Sequence, residues 1–118
     1  MMPSLQEFLT ARLPFPGLAA WGACLGGAEV QYQSFAAWLT AAQLAPALGQ
    51  LHRAAQDLKG YELEPRRLNW AFEHLRIRMV FRSDGAWLAL FLENRVDLNH
   101  LLVETVVEEF ATLETRTG

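Results

Sequence analysis

Two stretches of this chain are apolar on every face they present: residues 18–25, LAAWGACL, and residues 87–92, WLALFL. Both are short for a helix, and a strand that buries both faces must lie inside a sheet covered above and below. The rest of the chain has to meet that demand. It must supply helices for both faces of the sheet and outer strands that need only one apolar face.

The outer strands are legible. Gly26-Gly27 reads as a tight hairpin turn, after which residues 29–34 alternate Val30 and Tyr32 with Gln31 and Gln33, the pattern of an edge strand. Past Pro65, Leu68, Trp70 and Phe72 alternate with Asn69, Ala71 and Glu73. Leu75, Ile77, Met79 and Phe81 then alternate with Arg76, Arg78, Val80 and Arg82, and Ser83-Asp84-Gly85 turns the chain into the second apolar run.

Three helices complete the set. Ser4 with Glu7 forms a capping box for a short helix carrying Leu5, Phe8 and Leu9, which must end before Pro14. Thr40 with Gln43 forms a second box, and Leu39 with Leu44 forms a hydrophobic staple. The stripe that follows runs Leu44, Leu48, Leu51, Ala55 and Leu58 until Gly60, a left-handed stop. Pro46 lies too far inside for a first turn and predicts a kink or a later start. Asp97 is the expected cap of the last helix, with Leu98, Leu102, Val106, Phe110 and Leu113 inward and Glu104, Glu108 and Glu109 outward.

The expectation is therefore an α/β (α+β) fold over residues 1–118 as a single domain, with element order αββαβββα. Its sheet is five-stranded and antiparallel, with the first and last strands adjacent at the centre and helices on both faces.

Composition narrows the function. The chain is 52% hydrophobic and 19% charged, against about 25% charged in an average domain, so some apolar surface is expected to lie in an interface. A net charge of −3 without a basic cluster argues against nucleic acid. No apolar run reaches the length of a membrane span, the N-terminal segment lacks the pattern of a signal peptide, and Cys24 stands alone, so a cytoplasmic, reducing setting is expected.

His52, His74 and His100 have no helical metal-ligand spacing, Cys24 has no local base, and Gly26-Gly27 precedes a strand rather than a phosphate-binding helix. No catalytic residue, metal or cofactor is expected. Arg76, Arg78 and Arg82 share one strand face, either paired with acidic residues of a helix or open to an acidic partner. Leu68, Trp70 and Phe72 make a costly apolar row on an outer strand. A helix of the same chain can cover it; a second copy is the preferred cover.

In this layout the chain resembles the Roadblock and dynein light-chain family, which includes bacterial regulators of small Ras-like GTPases. The resemblance runs through LAAWGACLGGAEVQYQSF, TAAQLAPALGQLHRAAQDLKG, LNWAFEHLRIRMVFRSDGAWLALFLEN and LNHLLVETVVEEF. It implies a sheet of order 2-1-5-4-3 on a profilin-like or longin-like fold. It also implies a homodimer through the third strand (Leu68, Trp70, Phe72) and the second helix (Leu44, Leu48, Leu51, Ala55), with a Ras-like GTPase as partner. Gly26-Gly27 departs from the Asp-Gly turn often seen there. The alternatives are a type III secretion-like chaperone, which usually places three strands before the second helix, and a profilin-like small-molecule sensor, which needs a polar pocket.

Overall fold

The computed structural model describes residues 4–25, 29–61, 66–94 and 98–113. Their order is α1 (Leu5–Arg12), β1 (Leu18–Cys24), β2 (Gln31–Ser34), α2 (Ala41–Lys59), β3 (Arg67–Ala71), β4 (Leu75–Phe81), β5 (Trp87–Glu93) and α3 (His100–Thr112). One five-stranded sheet runs β2-β1-β5-β4-β3, and each neighbouring pair is antiparallel. The two apolar runs are adjacent at its centre, as their double burial requires. Gly26-Gly27, Pro65 and Asp97 lie outside the described residues.

The two faces of the central strands are built differently. Trp21, Ala23, Leu88, Leu90 and Leu92 pack with Leu5, Phe8 and Leu9 of α1 and with Val103, Val106, Val107 and Phe110 of α3. The opposite face is small in the middle, where Gly22 lies directly across from Ala89 and beside Ala20. Leu44 and Leu48 of α2 descend onto that trough, flanked by Trp87, Phe91, Ile77 and Met79.

The helix ends follow the caps with some corrections. Ser4 Oγ accepts from Glu7 N at 3.0 Å, and both halves of the Thr40–Gln43 box are present. Helix α2 starts at Ala41 and runs through Pro46, so the later start does not occur. The carbonyl that Pro46 leaves without its donor belongs to Ala42, an exposed residue of the first turn and so open to solvent. Gly60 ends α2 with φ −62° and ψ −20°, not left-handed; Gly60 N and Tyr61 N donate to Asp57 O and Leu58 O in a tightened last turn.

In α3 the cap is Asn99, whose side chain accepts from Leu102 N at 3.0 Å. The buried stripe is Val103, Val106, Val107 and Phe110, while Leu102 is half-buried. A stripe taken every fourth residue drifts about 40° per step around a helix of 3.6 residues per turn, and mixed three- and four-residue steps hold the face.

A Cβ at Gly22 would stand inside van der Waals contact of Leu48 Cδ1, whereas one at Gly49 meets nothing within 4 Å. Gly22→Ala is expected to destabilise by about 1–3 kcal/mol through overpacking. Gly49→Ala, in the exposed face of a helix, should stabilise by about 0.5–1 kcal/mol. Urea unfolding of both variants checks the pair of signs.

Candidate interaction surface

At the β3 edge, Leu68 and Trp70 point to the α2 side of the sheet and are half-buried against its core, while Phe72, just past the strand, is 55% exposed. Arg67, Asn69 and Ala71 point to the other side and are exposed. The hydrogen-bond pattern fixes the free backbone groups. Phe81 N donates to Arg66 O and Phe72 N to Leu75 O, so the directly bonded pairs alternate as Arg66/Phe81, Leu68/Met79, Trp70/Ile77 and Phe72/Leu75. The N–H and C=O groups of Arg67, Asn69 and Ala71 consequently face away from the sheet.

Helix α2 does not offer the residues that the family resemblance implied. Leu44, Leu48 and Ala55 are 0%, 1% and 0% exposed within their own chain, and Leu51 is half-buried, because this stripe seats the helix on the sheet. The exposed side of α2 is the opposite one, with Ala42, Ala45, Pro46, Gly49 and Arg53.

The arginine face is likewise mostly occupied. Arg78 pairs with Glu104 and Arg67 with Glu108, both on α3. Arg82 has a 9% exposed side chain; its Nε meets Asp84 at 3.1 Å and its Nη2 donates to Leu113 O at 2.7 Å. It also donates to Phe110 O and lies over the Phe110 ring. Arg82 therefore caps the C-terminal end of α3, where carbonyls lack partners. Glu109 pairs with Arg12 of α1 at 2.8 Å. Glu104 and Glu108 are exposed, as expected, and with Glu109 they also tie α3 to its neighbours; Arg76 alone of the three candidates is exposed with no ion pair among the described residues.

The histidines are dispersed. His52 stacks on Trp87 with centroids 5.5 Å apart and hydrogen-bonds Gln56, while His74 and His100 are exposed. Cys24 is half-buried at the end of β1. Among the described residues no three His, Cys, Asp or Glu side chains group as metal ligands, and no helix is long and apolar enough to cross a membrane.

Sequence reasoning missed a second exposed apolar row. Val30, Tyr32, Phe35 and Trp38 are all at least 40% exposed, along β2 and the turn into α2. Ser34 Oγ pins that turn by donating to Leu39 O and accepting from Ala36 N. The available signal was a pair of large aromatics, Phe35 and Trp38, just before a helix cap.

An αββαβββα order around a 2-1-5-4-3 sheet, with α2 on one face and α1 and α3 on the other, is the arrangement that the family resemblance implies. Two strands precede α2, not the three expected of a secretion chaperone. Among solved structures the chain is similar to MglB of Myxococcus xanthus, with a TM-score of 0.55 and 12% identity over 86% of this chain and 83% of that one. At that identity the likeness establishes the fold. No family model and no curated protein matches the sequence.

The hydrogen bond from Arg78 holds the Glu104 carboxyl below the usual glutamate range, against partial desolvation acting the other way; Arg67 and His100 add smaller attractions. A carboxyl lowered on folding carries fewer protons folded than unfolded between the two values. Its contribution is present above the ordinary glutamate pKa of about 4.3 and is lost as pH falls through the folded value. Because Glu104 is 58% exposed, solvent screening limits the cost of Glu104→Gln to about 1 kcal/mol or less at pH 7. Unfolding measured from pH 7 to 3 should show that difference shrinking toward zero.

Proposed function

We propose that this chain is a non-catalytic interaction module that dimerises through β3 and, as a dimer, binds or regulates a small Ras-like GTPase. The observation that carries the reading is the open β3 edge. It has backbone groups at Arg67, Asn69 and Ala71 without partners among the described residues, and an incompletely covered apolar row at Leu68, Trp70 and Phe72. An exposed edge of this kind invites another strand, and a closed twofold pairing removes both edges in one contact.

The free backbone groups specify how two copies meet. A twofold axis at Asn69 pairs Asn69 with itself and Arg67 with Ala71 of the other copy, using every strand residue. Leu68 then stands opposite Trp70 of the other copy on the α2 side, in the closer non-hydrogen-bonded pairs that favour side-chain packing. The small exposed residues Ala42, Ala45 and Gly49 allow α2 to approach a partner closely. The GTPase assignment rests on the fold shared with MglB and on the family resemblance to bacterial regulators of such enzymes.

Light scattering after size exclusion at micromolar concentration should give twice the 13.3 kDa chain mass. Phe72→Ala and Trp70→Ala should weaken association, Trp70→Ala by about 2 kcal/mol or more as an interface hot spot. Phe72 is the cleaner probe, since Trp70 also packs on its own core. Leu101→Ala, on exposed α3, should have no effect. A GTPase of the same organism should co-elute with the wild type in one nucleotide state more than in the other. A compact monomer would refute the dimer, and absence of co-elution in both states would refute the GTPase reading alone.

A further inference from the structure

A cavity of about 240 Å³ opens where the C-terminal half of α2 passes the β4–β5 turn. Its wall includes His52, Gln56, Lys59, Arg66, Ser83 and Trp87, and among the described residues no acidic side chain lines it. That is unusual siting in a chain of net charge −3. Lys59 and Arg66 are exposed and form no ion pair among the described residues. Arg82 also borders the cavity, but its charge is matched by Asp84 and its nitrogens are committed to Asp84 and to the end of α3.

Size and charge select the ligand. The volume is below the roughly 300 Å³ at which cavities begin to enclose a whole drug-sized molecule, so it accepts one compact group. Two cations with no ion pair among the described residues balance a phosphoryl group, of charge about −1.5 to −2 at pH 7, whereas a single carboxylate balances only one of them. Arginine supplies a planar fork of donors and lysine a mobile point charge. Gln56 and the Ser83 hydroxyl add neutral donors.

We propose that this cavity binds the phosphoryl group of a small phosphorylated ligand, held between Lys59 and Arg66 with Gln56 and Ser83 as supporting donors. The site adjoins the start of β3 through Arg66, and it is built from residues of one chain.

Lys59 is the one lysine of the chain, so acylation of its ε-amine, followed by mass spectrometry of its peptide, reads this cavity directly. The full chain is used, so that Glu62 and Glu64, between Lys59 and Arg66 in sequence, are present. Glycerol phosphate or inorganic phosphate, at a few times a millimolar Kd, should slow acylation by about threefold or more. Chloride and acetate at equal ionic strength should not. Arg66→Gln, a change at an exposed position, should keep the wild-type melting temperature without ligand and lose both the protection and the phosphate-induced rise in melting temperature. Equal slowing by chloride or acetate, or protection that survives Arg66→Gln, would overturn the proposal. Binding to phosphatidic acid vesicles without protection by glycerol phosphate would overturn the assignment to a small ligand.

Discussion

The seating of Leu48 over Gly22 sets the position of α2, and much of the surface follows from it. A central strand with glycine and alanine on one face and tryptophan and leucine on the other gives a sheet with a shallow trough and a filled side. The trough lets α2 lie low, and Leu44 and Leu48 are buried there with Leu51 partly covered. Because α2 packs against β2 as well as the central strands, its cover thins toward β3 at the opposite edge. Leu68 and Trp70 remain half-buried for that reason, and Phe72 is left in solvent.

Electrostatics give the other face of the same edge a different character. Arg67, Arg78 and Arg82 reach from the sheet and its β4–β5 turn to α3, two of them to glutamates and one to the carbonyls that end the helix. Exposed ion pairs contribute little energy each. Their consequence here is geometric, because they fix where α3 lies and take up Arg67, Arg78 and Arg82 on that side while Arg76 stays exposed. The edge is thus polar and engaged on the α3 side and apolar and open on the α2 side. In a continuous ten-stranded sheet of two copies, the dry part of the contact would lie under the α2 helices.

The sequence showed what depends on local period and composition. The two doubly apolar runs placed β1 and β5 at the centre, and the Thr40–Gln43 box placed the start of α2 despite Pro46. It did not show how far each stripe would be covered. Leu44, Leu48 and Ala55 look equally suited to a core or a partner until the glycine trough beneath them is known. Arg78 and Glu104 are 26 residues apart, and Arg67 and Glu108 are 41 apart, so their pairing depends on which side of the sheet α3 crosses. The cavity beside Lys59 and Arg66 joins a helix end to a distant turn, and no linear motif marks it.

Hydrogen exchange at β3 tests the central claim most directly, because the strand carries its own control. The amides of Leu68 and Trp70 are bonded to β4 in any oligomeric state, while those of Arg67, Asn69 and Ala71 face outward and gain partners only from another strand. The account predicts that Asn69 and Ala71 exchange as slowly as Leu68 and Trp70 at micromolar concentration and faster on dilution below the dimer Kd. If Asn69 and Ala71 exchange at the rate of open amides while Leu68 and Trp70 stay protected at every concentration, β3 is a free edge and pairing through it is contradicted.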